Sequence, residues 1–195
     1  MRWLFFLIAC SATSTAHAQL DSLLRVLNTL PDDTSRLPVL TGLLRATVFS
    51  DPDSGLFFAE RYLAVAKSSD VAMEIGKGHN YTGMCYSAKG DHDLALEHYM
   101  AALSHFEHGD DPWYTAMAHN NVGSVMEHEL RFSEATREFR IALKAFDQLN
   151  DTTWISNVSN NLGNVYFNRG QKDSAMVFYE LADRMLAELG DRASA

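Results

Sequence analysis

The chain has 195 residues, of which 47% are hydrophobic, and its 16 basic and 25 acidic residues give a formal net charge of −9. Because domains usually contain roughly 100–200 residues, this length allows one or two of them. The acidic excess argues against nucleic acid as a partner, since its binding depends on clustered lysine and arginine side chains that neutralise phosphates.

The first 18 residues have the pattern of a secretory signal peptide. Arg2 precedes the apolar run Trp3–Cys10, and small polar residues then lead to the A-x-A site Ala16-His17-Ala18. We therefore predict cleavage before Gln19 and a secreted or periplasmic protein with a net charge of −10, since Arg2 is removed. The apolar run is shorter than the roughly 20 residues that a membrane-spanning helix requires, and no later segment supplies such a stretch.

The residues around Cys10 leave a second interpretation open. Leu7-Ile8-Ala9-Cys10 resembles the lipobox of bacterial lipoproteins, which would place a lipid on Cys10, although few residues precede that cysteine. If Cys10 is instead removed with the signal peptide, Cys85 is the one remaining cysteine and cannot form an internal disulfide. The stability of the mature chain would then depend on packing.

Leucines at helical spacing after the signal segment predict a packing helix over residues 19–33. Proline and aspartate favour a turn at its end, at Pro31-Asp32-Asp33. The members of the apolar stripe are Leu20, Leu23, Leu24, Leu27 and Leu30. We expect this helix to cover the first of the repeats that follow it.

Residues 34–195 repeat with a period of 40. The columns that recur are Gly83, Gly123 and Gly163; Ala95, Ala135 and Ala175; Tyr99, Phe139 and Tyr179; and Ala102, Ala142 and Ala182. A fixed period predicts a repeat architecture, here of four units at about 34–72, 73–112, 113–152 and 153–191. The first unit is a degenerate copy with Leu43, Gly55, Ala59 and Tyr62 in register and a break at residues 50–53.

Each unit is predicted to be a pair of helices, because its small and apolar residues recur at helical spacing. Gly90 and Gly170 mark the break between the two helices of a unit. Asp93, Ser133 and Asp173 open the second helix, where short oxygen-bearing side chains suit a helix start. The glycine and alanine columns let two helix backbones approach closely, and the aromatic column fills the space that remains.

These columns resemble the tetratricopeptide repeat, whose pattern of small residue, aromatic, alanine, aromatic and alanine is matched in three of the four units. The resemblance implies an all-α, right-handed superhelical solenoid of antiparallel helix pairs. It also implies a protein or peptide partner, held in a concave groove that the first helices line. The usual repeat has about 34 residues, and the longer unit resembles the variant in kinesin light chains and in periplasmic sensor regions of bacterial two-component receptors.

A column of asparagines supplies the candidate binding residues. Asn80, Asn120 and Asn160 lie 40 apart on first helices, and the resemblance implies that this position faces the groove. An amide side chain both donates and accepts, so a ladder of amides can pair with the backbone of an extended peptide. Further candidates on this face are Ser124, Asn157, Asn164 and Asn168, together with Lys77 as a partner for a carboxylate.

The asparagine column also has a purely structural interpretation, in which its side chains only bond neighbouring helices. Asn121 and Asn161 are expected to be structural, because their positions turn toward the preceding unit. Both interpretations remain open at the level of the sequence.

The sequence gives no support for catalysis, a metal site or a cofactor. His105 and His108 share a helix face, but the chain contains no established metal-ligand spacing. Cys85 lies in a column that continues with valines, so we expect a buried packing residue and not a nucleophile. We therefore predict that the protein is not an enzyme.

Two functional hypotheses follow. The first is a protein- or peptide-binding module that acts as a scaffold or as a periplasmic sensor input. The second is a structural subunit of a cell-envelope complex, assembled through an open carboxy-terminal repeat. Gly190-Asp191 falls in the column of Asn150-Asp151, where a fifth unit would begin, and a terminal repeat needs a cover for its apolar flank. We therefore expect either further carboxy-terminal repeats or domains, or a partner at this end.

Overall fold

The structure, a computed structural model, describes the backbone of residues 18–194 and the side chains of residues 18–190. The predicted signal peptide lies outside the described residues, apart from Ala18. The chain divides into two compact units, an amino-terminal unit (Met1–Asp91) and a carboxy-terminal unit (His92–Ala195).

Helices and no strands occur in the described range. The amino-terminal unit contains α1 (residues 18–29), a 3₁₀ turn (Thr34–Arg36), α2 (Leu37–Thr47), α3 (Pro52–Ser69) and α4 (Ala72–Lys89). The carboxy-terminal unit contains α5 (His92–His108), α6 (Pro112–His128), α7 (Phe132–Gln148), α8 (Thr152–Asn168) and α9 (Lys172–Ser194). From α2 onward, each helix packs against the next one of its unit. The predicted all-α class of antiparallel helix pairs is thus confirmed.

No described helix combines the length and the apolar character that crossing a membrane would need.

The amino-terminal unit has a leucine-rich core. Leu27 of α1 is buried together with Leu40, Leu43 and Leu44 of α2, and the ring of Tyr62 on α3 closes the cluster. The first helix is shorter than predicted, because it ends at residue 29 and a 3₁₀ turn follows. That turn is stabilised by Asp33, whose side chain accepts a hydrogen bond from the Ser35 backbone N–H at 2.8 Å.

Cys85 is completely buried in this unit, as the sequence predicts. Its Sγ would lie 3.1 Å from a Cβ added to Gly55, so the thiol helps to fill the space beside the small residue of the degenerate repeat. Burial raises the pKa of the Cys85 thiol to about 11. Such a thiol stays protonated near neutral pH, which fits a packing residue and not a nucleophile.

The carboxy-terminal unit is built on the repeat columns. Ala135 and Ala142 of α7 are fully buried, and so is Phe139 between them. A Cβ added to Gly123 of α6 would lie 2.9 Å from Phe139 Cδ1, which is closer than real Cβ contacts come. The small residue in this column is therefore required by the close approach of α6 and α7, as the sequence predicts.

The first helices of the carboxy-terminal unit begin with side-chain caps that the sequence analysis overlooked. Asp111 accepts hydrogen bonds from two backbone N–H groups at the start of α6, and Asp151 accepts one from Trp154 N at the start of α8. By contrast, Ser133 and Asp173 lie one position inside α7 and α9. Aspartate there favours the helix through its charge near the amino end of the dipole.

Candidate functional site

The candidate site is an open cavity of about 400 Å³ in the carboxy-terminal unit, which we name the α6–α8 cavity. Side chains three or four positions apart on one helix share a face. The polar side chains of α6, and likewise those of α8, therefore form a row along the cavity wall. The lining residues are Ser124, Glu127 and His128 of α6, Leu130 of the following turn, and Asn161, Asn164 and Asn168 of α8.

Asn120 does not line this cavity but joins α6 to α8. Its side chain is only 7% exposed, and its Oδ1 accepts a hydrogen bond from Asn161 Nδ2 at 3.0 Å. Ser124 Oγ donates to the Asn120 backbone carbonyl at 3.1 Å. The expectation that Asn161 turns toward the preceding unit is therefore confirmed, and Asn120 makes the inter-helix bond that was left open as an alternative.

Two further asparagines of α8 have their side chains fixed by hydrogen bonds. The hydroxyl of Tyr179 on α9 donates to Asn164 Oδ1 at 2.9 Å. Asn168 Nδ2 donates to Oε1 of Glu127 at 3.3 Å, a long bond for a charged acceptor. These bonds hold in place two of the amide groups that line the cavity.

Glu127 is a partly buried carboxylate in this wall. Burial raises the pKa of its carboxyl, and the nearby His128 and the hydrogen bond from Asn168 oppose that shift only in part. His128 itself stacks on His92 of α5, with ring centroids 5.2 Å apart. The repeat positions equivalent to Glu127 hold Ser87 and Phe167, so the acidic group is specific to this cavity.

Leu130 stands at the rim of the cavity in an unusual backbone conformation. Its φ of 60° is left-handed, and its side chain is 71% exposed. The repeat positions equivalent to it are Gly90 and Gly170, which adopt φ of 82° and 74°. Glycine takes this conformation without steric cost, whereas a bulky residue there is a strained exception.

The remaining predicted site residues lie outside this cavity. Asn157 and Asn160 are exposed on α8 but do not line it. Asn80, in the amino-terminal unit, is 4% exposed, and its Nδ2 lies 3.5 Å from Met84 Sδ. Peptide contact by these residues stays a prediction.

Lys77 is paired inside the amino-terminal unit. Its Nζ donates to Glu74 Oε1 at 2.8 Å, and the hydroxyl of Tyr62 donates to the other oxygen of Glu74. Burial alone would raise the pKa of Glu74, but these two hydrogen bonds lower it overall. A carboxylate ligand would have to compete with Glu74 for Lys77.

Of the predicted binding residues, Ser124, Asn164 and Asn168 line this cavity. Asn161, which was expected to be structural, lines it as well, and Glu127, His128 and Leu130 were not predicted. The signal for Glu127 was available, because it lies three positions after Ser124 on the same helix. The signal for Leu130 was its place in a column that holds glycine in the units before and after it, at Gly90 and Gly170.

A buried pair of polar side chains, His119 and Glu138, joins α6 to α7. Nδ1 of His119 is 2.7 Å from Oε2 of Glu138, and the two side chains are 14% and 8% exposed. The exposed Arg137 donates to the other oxygen of Glu138 at 2.8 Å. Glu138 is therefore a buried carboxylate with one buried and one exposed partner.

Aromatic side chains join the starts of α6 and α8. Trp113 packs edge-on against Trp154, with ring centroids 5.7 Å apart, and both contact Phe146 of α7. The indole N–H of Trp113 donates to Oδ2 of Asp151 at 2.9 Å. Since Oδ1 of Asp151 caps α8, both carboxylate oxygens are used.

Among the residues that the structure describes, no group of three or more His, Cys, Asp or Glu side chains could hold a metal ion.

A family model for the tetratricopeptide repeat matches residues 83–104 and 156–185. Both matched segments therefore have the sequence pattern of a tetratricopeptide repeat. The second match covers most of α8 and the first half of α9, and so includes the cavity-lining asparagines of α8. A search among curated proteins found no match to the chain.

Several solved structures have a similar fold. BtubC (BKLC) from P. vanneervenii is 20% identical with a TM-score of 0.71, over 88% of this chain and 71% of that one. A Rap protein complexed with competence and sporulation factor is 18% identical with a TM-score of 0.80, over 89% and 49%.

A putative kinesin light chain from Podosopora anserina with nearly identical TPR-like repeats is 14% identical, with a TM-score of 0.68 over 91% of this chain and 90% of that one. At these identities the likeness shows the fold alone. The chain spans about half the length of the Rap protein.

Proposed function

We propose that the chain is a protein-binding repeat module that holds an extended peptide segment in the α6–α8 cavity. The observation that carries this proposal is the convergence of amides from α8 and polar groups from α6 on one open cavity. Amides can both donate to and accept from a peptide backbone, whatever the side chains of that peptide are. The Rap structure, complexed with competence and sporulation factor, shows a related fold with a bound partner.

The proposal is tested with peptides selected from a random dodecapeptide library displayed on phage. Asn164→Ala should weaken the binding of the selected peptides by about 2- to 10-fold. This corresponds to the net contribution of one hydrogen bond, roughly 0.5–1.5 kcal/mol. Fluorescence anisotropy with labelled peptides would measure the dissociation constants. Gln148→Ala is the matched control, because it removes an exposed amide of α7 that does not line the cavity.

Stability must be followed in the same variants, because Asn164 also accepts a hydrogen bond from Tyr179. A lower melting temperature with unchanged affinity per folded molecule would show that the amides serve only the fold. The same comparison applies to Asn80, Asn120 and Asn160. For Asn120→Ala we expect a lower melting temperature and an unchanged affinity per folded molecule, since that residue is buried and bonded to Asn161.

A second candidate function is assembly through α9, as a subunit of a cell-envelope complex. Leu186 is 55% exposed, whereas Phe106 and Phe146 in the same repeat column are fully buried. Met176 and Val177 are exposed on the same helix. A partner bound there would be insensitive to Asn164→Ala, so the titrations above distinguish the two functions.

We further propose that the chain is exported and acts outside the cytoplasm, as a scaffold or as the input of a periplasmic sensor. The support is the segment from Arg2 to Ala18, with its apolar run and its A-x-A site. Intact-mass measurement of the protein from a secretion-competent bacterial host should give an amino terminus at Gln19. A diacylated Cys10 would instead identify a lipoprotein, and an uncleaved chain would contradict export by this signal.

A further inference from the structure

The α6–α8 cavity contains one carboxylate that its surroundings leave poorly compensated. Within the described residues, Glu127 accepts a long hydrogen bond of 3.3 Å from Asn168, although its side chain is partly buried. A buried charge is costly unless it is paired and hydrogen-bonded. The Glu127 carboxylate can therefore accept strong hydrogen bonds from a ligand whose positive charge neutralises it.

Within the described part of the chain, the basic side chain that lines the cavity is His128, whose proximity opposes the raised pKa of Glu127 only in part. The cavity lining includes neither lysine nor arginine. Arg131, which follows Leu130 in the sequence, donates instead to Glu129 at 3.0 Å and to Glu134 at 2.7 Å. That guanidinium is thus held by two other carboxylates, and it does not compete with a ligand for Glu127.

We propose that the α6–α8 cavity takes a cationic side chain of the bound peptide, a lysine or an arginine, with the Glu127 carboxylate as its partner and Leu130 against its aliphatic stem. This inference rests on the proposed function, because it assigns the side chain that the peptide-binding site selects. Ammonium and guanidinium groups donate strong charge-assisted hydrogen bonds to a carboxylate. Their methylene stems pack on apolar surface while the charge stays in a polar environment.

Leu130 supports this assignment independently of charge. The equivalent turns use Gly90 and Gly170, so the fold needs no side chain at this position and would be less strained without one. Strained residues persist where another role compensates for their cost. An exposed leucine at the rim of a polar cavity supplies the apolar contact that the stem of a long basic side chain requires.

Other ligand chemistries fit the cavity less well. An acidic side chain would be repelled by Glu127. A neutral peptide backbone could pair with the asparagine amides but would leave the carboxylate charge unneutralised. The preference for a cation is therefore a property of Glu127 alone, and it can be removed without removing the amides.

The test uses the peptides that the wild-type chain selects from the dodecapeptide library. Each is resynthesised with its basic residues replaced singly, arginine by citrulline or lysine by norleucine, which keep the shape and remove the charge. One such replacement should weaken binding to the wild type about tenfold or more, as expected for a hydrogen bond to a charged group. Glu127→Gln should bind the charged and neutral peptides equally.

Asp147→Asn is the matched control, because it removes an exposed negative charge of α7 that lies outside the cavity lining. It should keep the preference for the charged peptide, and higher salt should reduce that preference in both proteins that retain it. Thermal melts confirm that each variant is folded.

Equal binding of charged and neutral peptides by the wild type, or a preference that persists in Glu127→Gln, would overturn this inference and leave the proposed function standing. Failure to select any peptide would contradict the proposed function, and this inference with it.

Discussion

Replacing Gly123 with leucine is expected to destabilise the carboxy-terminal unit by about 1–3 kcal/mol, the usual cost of overpacking. Even a single added carbon at this position would lie 2.9 Å from the ring of Phe139. That residue is fully buried, so its ring can shift only if its core neighbours shift as well. A change of this size should lower the melting temperature by roughly 2–4 °C for each kcal/mol, measured by circular dichroism.

Gly190→Leu is the matched control for this experiment. Gly190 also lies in a helix, but nothing comes within 4 Å of a Cβ added there. The control should melt at or above the temperature of the parent, since leucine favours a helix more than glycine does. A Gly123→Leu melt that matches the parent would show that the glycine column is not a packing column.

Replacing His119 with alanine is expected to cost about 1.5–3 kcal/mol, because it removes a buried hydrogen-bond partner of the Glu138 carboxylate. Arg137 remains, but it approaches from the surface with its side chain 67% exposed. Arg137→Ala should therefore have a smaller effect on the melting temperature, since solvent screens the charge of this largely exposed side chain. The comparison removes one partner at a time from the same carboxylate.

The double variant His119→Leu, Glu138→Leu provides a further check. Replacing both members of a buried pair with apolar residues of similar volume is often neutral for stability. The double variant should therefore be more stable than His119→Ala. If the two are equally destabilised, the cost comes from the packing of α6 on α7 and not from the unpaired carboxylate.

The sequence predicts the helix pairs correctly because their packing depends on residues that must recur. Gly123 and Gly163 face a large ring, Phe139 or Tyr179, at the same step of the repeat, so the same small residue is needed at each. Because this small residue recurs at a fixed spacing, its packing role can be predicted from a single sequence. The breaks after α4 and α8 can be predicted for the same reason, because the positive φ at Gly90 and Gly170 favours glycine at the same step of the repeat.

The binding surface is harder to predict because its important groups do not recur. Glu127 has no acidic counterpart in the neighbouring repeats, and Leu130 replaces a glycine in one copy. The hydrogen bond between Asn120 and Asn161 depends on how α6 and α8 are positioned along each other. The repeat period of the sequence does not give that position. Periodicity thus reveals the scaffold, whereas departures from periodicity mark the surface that a ligand meets.

The two hydrogen-bonding roles of Asp151 have a consequence for how the carboxy-terminal unit unfolds. In repeat proteins, stability is the sum of an intrinsic contribution from each repeat and a coupling to its neighbour. Asp151 belongs to both contributions, because one oxygen caps α8 and the other holds the indole of Trp113 on α6. Unwinding the first turn of α8 releases that indole, and loss of the indole weakens the cap. The α6–α7 and α8–α9 pairs should therefore unfold as one cooperative block, without a stable intermediate in which only the last pair has melted.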